Sequence, residues 1–261
     1  MNLIIVAPEE VEPAGTVTLA GVRARHLTSV LRVALGHPVR LGVLDGPFGN
    51  GVVTALSQDT VTLRCRFDDV VPDPPAMDVL LALPRPKVLH RLWAQLAALG
   101  VGRIVLTNAA RVERNYFDTH VLHPAAYGPL LIEGLQQARA TRLPQVTVHR
   151  QFRVLVEDHL ATLSGADTRV VADPAGRVSI RNALASAATS RQVTDGLPAR
   201  RVLLAIGPEG GWNRFELELL ANHGFRAVTM GARTLRSDTA CVALLALVHD
   251  ALQDVALPRN A

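Results

Sequence analysis

The segment richest in chemistry in this 261-residue chain runs from Leu203 to Glu216: Leu-Leu-Ala-Ile-Gly-Pro-Glu-Gly-Gly-Trp-Asn-Arg-Phe-Glu. An apolar run enters a glycine-rich loop, and the loop enters a helical pattern. Asn213 is placed to cap that helix, Glu216 three residues on completes a capping box, and Trp212 with Leu217 forms a hydrophobic staple. Glycines at the carboxyl end of a buried strand let a ligand approach the backbone closely. The loop has neither the Gly-x-Gly-x-x-Gly spacing of a dinucleotide site nor the Lys-Ser/Thr of a phosphate loop, and it carries Glu209 where a phosphate binder needs a cation. Its ligand is therefore expected to be neutral or cationic and rich in hydrogen-bonding groups. A bare strand-to-helix turn is the alternative on this segment alone.

A second segment, Met230-Gly231-Ala232-Arg233-Thr234-Leu235-Arg236-Ser237-Asp238-Thr239-Ala240, leads into Cys241–Val248, which is apolar nearly all round. A helix of that kind is expected to be buried. Ser237 or Asp238 can cap it. Arg233 and Arg236 lie beside the positive end of the helix dipole, which costs about 0.3–1 kcal/mol each if they are unpaired. Either they grip an anionic substrate or they pair with Glu209 or Glu216. S-adenosylmethionine, with its sulfonium and adenine, satisfies the demands of the first loop.

Other chemistries find no support. Cys65 and Cys241 sit in apolar surroundings without a flanking base and read as buried small hydrophobes. The nine histidines show no metal-ligand spacing with cysteines or acids, so no metal is expected. No nucleophile elbow is present. Two cysteines make no disulfide framework, and the start of the chain has no basic n-region, so a cytoplasmic location is expected. The longest apolar run, Cys241–Val248, falls far short of the roughly 18 residues of a membrane span.

Net charge is +4, and Lys87 is the only lysine, so the positive charge is nearly all guanidinium. From Arg85 to Asn115, Arg85, Lys87, Arg91, Arg103, Arg111 and Arg114 face Glu113 alone. That is a candidate footprint for a polyanion, with a solvated helix face as the plainer reading.

These residues need elements to hold them. Residues 1–71 read as short strands, Leu3–Val6, Thr16–Leu19, Val39–Leu44, Gly51–Leu56 and Thr60–Phe67, with reversals at Asp45-Gly46-Pro47 and Gly49-Asn50-Gly51, and a small β-barrel is expected. Asp68–Asp78, with four acids and three prolines, reads as an extended linker. Beyond it, strands at Val79–Leu83, Arg103–Thr107, Arg169–Ala172, Val202–Ile206 and Ala227–Met230 alternate with helices. One helix carries Val88, Leu89, Leu92, Trp93, Leu96 and Leu99 and closes at Gly100; the others lie near 124–138, 152–163 and 213–223. Alternation of this kind predicts an α/β domain with a parallel sheet covered on both faces.

In these segments the chain resembles the RsmE-like family of SPOUT methyltransferases, which methylate N3 of a uridine in small-subunit (16S) ribosomal RNA with S-adenosylmethionine. The strongest part is Ile206–Gly211 followed by Met230-Gly231, Leu235-Arg236 and Thr239-Ala240. His26-Leu27, Val30-Leu31-Arg32, Leu44-Asp45-Gly46, Leu99-Gly100-Val101 and Arg142-Leu143-Pro144 agree more weakly. The chain departs from the family pattern at Gln95, Ala98 and Gln136–Ala140, and its acid after Leu235-Arg236 is displaced one place by Ser237 and is Asp238 rather than Glu; the cofactor loops are still better kept than the substrate surface.

The resemblance implies an N-terminal PUA-like β-barrel over 1–71 that holds RNA. It implies a C-terminal SPOUT α/β domain with a trefoil knot over 72–261 and a homodimer formed across the knotted domains. Its cofactor would lie in three loops, on Ala172, Asp173, Pro174, Ile206, Gly207, Pro208, Glu209, Gly210, Gly211, Met230, Gly231, Leu235, Arg236 and Ser237. Arg236 is the candidate catalytic residue. His26, Arg32, Arg85, Lys87, Arg91, Arg111, Arg114, Arg139 and Arg142 would contact ribosomal RNA. The competing expectations are a methyltransferase for a different nucleotide or a ribose 2′-hydroxyl, and a non-catalytic RNA-binding assembly factor.

Overall fold

The computed structural model describes residues 3–189, 201–231 and 233–256. The chain forms two compact units, one of Met1–Pro74 with Ile132–Leu143 and one of Pro75–Leu131 with Pro144–Ala261.

The first unit is a five-stranded sheet of β1 (Ile4–Val6), β2 (Thr16–Ala20), β3 (Pro38–Val43), β4 (Phe48–Leu56) and β5 (Thr60–Phe67), in the order β1-β3-β4-β5-β2, with a short helix α1 (Gly21–Arg25) after β2. β1 pairs with β3 in parallel, and the other pairs are antiparallel. Alternation along β5 buries Val61 and Leu63 and leaves Arg64 and Arg66 in solvent, and the buried set joins Val17, Leu19, Leu27 and Leu41 in one core.

Asp45-Gly46 turns the chain as expected, but Gly49-Asn50-Gly51 lies inside β4 and is no reversal. Its glycines serve packing. A Cβ on Gly49 would come within 2.5 Å of the Phe67 ring, and one on Gly51 within 2.8 Å of Leu41 and 3.0 Å of the Cys65 sulfur.

Two sets of polar contacts tie this unit together. Thr141 accepts the Asp45 N–H at 2.8 Å, and its hydroxyl donates to the Gly46 carbonyl at 2.8 Å. Arg23 donates to both oxygens of Glu10, one at 2.9 Å, and this holds the Glu10 carboxyl below the usual carboxylate range. A depressed carboxyl stabilises the fold fully above its unfolded pKa and loses that contribution as pH falls through its folded value. Arg23→Ala should therefore cost about 1 kcal/mol in urea unfolding near neutral pH. Its deficit relative to wild type should vanish in acid.

The second unit is a six-stranded, wholly parallel sheet of β6 (Met77–Ala82), β7 (Val101–Thr107), β8 (Gln145–His149), β9 (Thr168–Ala172), β10 (Val202–Ile206) and β11 (Phe225–Val228), in the order β11-β9-β10-β6-β7-β8. Its helices are α2 (Pro86–Ala98), α3 (Pro124–Ala138, whose last residues belong to the first unit), α4 (Phe152–Val154), α5 (Leu160–Leu163), α6 (Ile180–Thr189), α7 (Arg214–Asn222) and α8 (Ser237–Ala256), with a π turn joining α4 to α5. β6 and β10 are buried at every residue, as central strands of a sheet covered on both faces must be. α2 sinks Leu89, Leu92, Trp93 and Leu96 completely and stops at Gly100, where φ is +67°.

Three expectations need correction. β11 ends at Val228, so Thr229 and Met230 are loop residues rather than strand. α8 is not buried all round: Cys241, Leu244, Leu245 and Val248 are enclosed where it packs on α6, α2 and β10, but Val242 and Leu247 are 37% and 41% exposed. Asp78 is no linker residue, because it lies within β6 and is fully buried.

A buried carboxylate needs partners, and Asp78 has them in Arg201 at 2.8 and 3.0 Å and the Ser164 hydroxyl at 3.2 Å. Arg201→Ala should cost about 3–5 kcal/mol by stranding that charge. The double variant Asp78→Ala/Arg201→Ala should recover part of the loss, read by thermal and urea unfolding.

Candidate functional site

β11, β9 and β10 stand side by side at one edge of the parallel sheet. Their carboxyl ends release three loops that are far apart in sequence and adjacent in space. With Leu217 of α7 and Ser237, Ala240 and Leu244 of α8, these loops line a cavity of about 400 Å³. That volume falls within the range of roughly 300–1,000 Å³ common for small-molecule sites.

The cavity brings together Ala172, Asp173, Pro174, Ile206, Gly207, Pro208, Glu209, Gly210, Gly211, Met230, Gly231, Leu235 and Ser237. Arg236, grouped with them from sequence, does not line it. Leu235 is half-buried at this cavity, whereas Arg236 is exposed and lines a second cavity of about 300 Å³ with Arg85, Val88, Arg91, Glu209, Ser237 and Asp238. Arg233 and Thr234, within the expected loop from Met230 to Ser237, line the first cavity too, and Trp212, Thr229, Ala240 and Leu244 do so unforeseen from sequence. Ser237, Ala240 and Leu244 fall at i, i+3 and i+7, a helical stripe visible once the start of α8 is known.

The glycine-rich loop is held from both sides. Asn213 Oδ1 accepts the Glu216 N–H at 2.8 Å, and Glu216 Oε2 accepts the Asn213 N–H at 2.7 Å, which is the anticipated capping box. The buried Glu216 also accepts the Ala110 N–H at 2.6 Å through Oε1, binding the loop after β7 to the loop after β10. Arg111 strengthens that bond by donating to the carbonyl of Gly210 and, at 3.4 Å, to that of Gly211. Asp173 is engaged by its own turn, accepting the Ala175 N–H at 3.0 Å. Trp212 packs against Phe152 at 5.3 Å between ring centroids, while its Nε1 has no protein partner.

The electrostatics divide between the cavities. Ile206, Leu217, Val228 and Leu244 give the first an apolar body, with Glu209 and the exposed Arg233 on its lining and Asp173 tied to its own turn. The second gathers three guanidiniums. Arg91 bonds Asp238 at 2.8 Å and holds that carboxyl below the usual range, and Arg85 lies 3.9 Å from Glu209. Among the described residues the Arg236 side chain makes no ion pair or hydrogen bond. The pairing of Arg233 or Arg236 with Glu209 or Glu216 is thus not what forms, because Glu209 faces Arg85 and Glu216 is turned inward onto backbone donors. Burial pushes the thiol of Cys65 up to about 11 and that of Cys241 up to about 12, so neither is a thiolate near neutrality. No group of three metal-ligating side chains occurs among the described residues.

The basic residues named from sequence take different positions. Arg85 and Arg91 line the second cavity, Lys87 and Arg114 are exposed, and Arg111 is bound to the glycine-rich loop. Arg103, from the same charged run, lies toward the opposite end of β7 and bonds Gln145 at 2.9 Å. In the first unit Arg32 and Arg139 are exposed, at φ +50° and +56°, and His26 is half-buried. Arg142 donates to the carbonyls of Pro72 at 2.6 Å and Asp45 at 3.1 Å, which gives its guanidinium a structural task.

Removing the Glu216 carboxylate leaves two backbone donors unpaired. Glu216→Ala should cost about 2–4 kcal/mol in unfolding experiments. It should also raise protease cleavage within 108–114 and 207–213 together, since one group restrains both loops.

Comparison with known proteins agrees with this arrangement. Residues 72–249 match the family described as RNA methyltransferase domain. The chain is 30% identical over 256 residues to the ribosomal RNA small subunit methyltransferase E of Treponema pallidum (strain Nichols), covering 95% of this chain and 90% of that protein. It is 28% identical to the protein of the same name from Synechocystis, covering 96% and 78%. A crystal structure of the Neisseria gonorrhoeae methyltransferase of this name bound to S-adenosyl methionine shares the fold, with a TM-score of 0.72 at 21% identity over 96% of this chain and 97% of that one. A methyltransferase from Legionella pneumophila in complex with the bound cofactor SAM gives 0.70 at 21% identity, over 96% and 97%. A parallel sheet whose loops at 172–175, 206–212 and 229–235 close on one cavity, matched along nearly the whole chain, places the protein in the ribosomal RNA small subunit methyltransferase E family.

Proposed function

We propose that this protein transfers the methyl group of S-adenosylmethionine to N3 of a uridine in 16S ribosomal RNA. One observation carries the reading: two cavities, one largely apolar with Asp173, Glu209 and Arg233 on its lining and one lined by the guanidiniums of Arg85, Arg91 and Arg236, share Glu209 and Ser237 as a common wall. A cationic donor and an anionic acceptor could be held on either side of that wall.

The first cavity fits the donor. Its apolar walls suit an adenine, the unpartnered Trp212 Nε1 offers a hydrogen bond, and Glu209 suits a positive centre. When bound, S-adenosylmethionine supplies an electrophilic methyl group on a sulfonium. The chain's own residues do the rest. The loops after β9, β10 and β11 grip the cofactor, and Arg236 holds its permanent charge where the imide becomes anionic. Fixing the base nitrogen against the methyl carbon can lower the barrier by up to about 7–11 kcal/mol through orientation alone.

In this reading the transferase domain, over 72–261, is a knotted SPOUT domain, and residues 1–71 form a PUA-like barrel. Phosphates are contacted by Arg85, Lys87, Arg91, Arg111, Arg114 and Arg139, and by His26 and Arg32 of the barrel. The protein works as a homodimer in the cytoplasm. The uncovered Val242 and Leu247 on α8 support a second copy packed on that helix.

The test uses small ribosomal subunits from a strain lacking the modification. Calorimetry should show saturable S-adenosylmethionine binding, and nucleoside mass spectrometry should show 3-methyluridine after incubation. Arg236→Ala should lower the rate about 100-fold. It should leave cofactor affinity unchanged, because Arg236 lines the second cavity alone. A variant as fast as wild type overturns the catalytic assignment, and a methylated ribose in place of the base overturns the site of transfer.

A further inference from the structure

Among the described residues Glu209 and Ser237 alone line both cavities, so these two residues stand where the cavities adjoin. Ser237 is buried, and its Oγ has no protein hydrogen-bond partner. A hydroxyl left this way costs about 1–3 kcal/mol, which a ligand atom can repay. Glu209 stands 3.9 Å from Arg85, too far for a hydrogen bond, so its carboxylate keeps full capacity as an acceptor. Beside them Arg236 offers donors and has no ion pair among the described residues. The boundary therefore presents an acceptor-only group, a donor-only group and a hydroxyl that can act either way.

An imide edge is the complement of that set, because it presents an N–H between two carbonyl oxygens. Resting on the reading given above, we propose that Glu209, Arg236 and Ser237 together recognise the imide edge of the target base and make the site specific for uracil over cytosine. Glu209 accepts the N3–H, while Arg236 and Ser237 donate to the two flanking oxygens. Cytosine would set the lone pair of its N3 against the carboxylate and its amino group against a donor, and a site that hydrogen-bonds an N–H rejects a base lacking it by up to about 10⁴-fold. Glu209 also takes the proton. The N3–H proton passes to a Glu209 oxygen, the electron pair left on N3 forms the new N–C bond, and the pair of the breaking C–S bond stays on sulfur.

Two measurements test this. In methylation of small ribosomal subunits at saturating S-adenosylmethionine, Glu209→Gln should lower the rate about 100-fold. Ser237→Ala should lower it about 10-fold by removing one donor, and Ser237→Thr should restore it. Separately, fluorescence anisotropy with short oligouridylate and oligocytidylate should show that the wild-type protein prefers uridine and that Glu209→Gln binds both equally. If the wild type binds no S-adenosylmethionine in calorimetry, the methyltransferase reading falls and this one with it. If the wild type binds the cofactor and forms 3-methyluridine, the methyltransferase reading stands. Glu209→Gln keeping the wild-type rate, or wild-type protein binding both oligomers equally, then overturns the assignment of the edge alone.

Discussion

The constraint on which the site depends is that all six strands of the second unit run the same way. Parallel neighbours cannot be joined by hairpins, so each connection must cross back over the sheet, and every carboxyl end finishes at one edge. With β11, β9 and β10 consecutive in that sheet, loops near residues 172, 206 and 230 meet although more than thirty positions separate the first two. The helices that follow turn their amino ends to the same edge. Local sequence then fixes how rigidly the loops are held. Glu216 does most of this, since one buried carboxylate closes the cap of α7 and grips the backbone of the neighbouring β7 loop. Both are bonds from backbone N–H to a charged acceptor, about twice as strong as neutral ones.

Charge at the second cavity is balanced weakly. Three guanidiniums would repel one another, and the pairs Arg85 with Glu209 and Arg91 with Asp238 relieve that repulsion. Exposed pairs of this sort contribute about 0–1 kcal/mol. An arriving phosphate, with more charge and more acceptor oxygens than a carboxylate, can therefore take over either arginine at little expense. Arg236 needs no such release because it is bound to no acid. Of the three guanidiniums lining this cavity, Arg236 is thus the one without an acid beside it, whereas Arg85 and Arg91 are paired until an anion displaces their carboxylates.

What could be read in the sequence was mostly local. The capping box of Asn213 and Glu216, the stop of α2 at Gly100 and the bounds of β10 follow from residues within a few positions of each other, and all three are present in the structure. Failures came where distant parts of the chain decide. Gly49 and Gly51 look like turn glycines, but their lack of a side chain answers to Phe67, Leu41 and Cys65 on neighbouring strands. Asp78 looks like one more acid of a polar linker, and its partner Arg201 is 123 positions away. The strand β8, only five residues long with Val146 and Val148 as its apolar positions, and the helix α6 are not among the elements expected from the sequence. Sheet order, which puts thirteen expected residues around one cavity, has no local signal. The expectation of convergence came from resemblance, and Arg236, expected with the same loops, lines the adjoining cavity.

The charge pattern also limits how the site can speed the reaction proposed for it. Methyl transfer from a sulfonium to a deprotonated imide cancels charge, so a carboxylate beside the donor and guanidiniums beside the acceptor hold the separated charges better than the transition state in which they merge. Such interactions aid binding more than the bond-making step. The gain in rate must then arise where charge is still being created, at the loss of the N3 proton, and in alignment of the reacting atoms. In the proposed reaction Arg236 serves the first by stabilising the anion. The rigid loops fastened by Glu216 serve the second, since positioning is lost when a supporting loop shifts by as little as about 1 Å. Glu209 belongs to both, as the one acid in reach of each cavity.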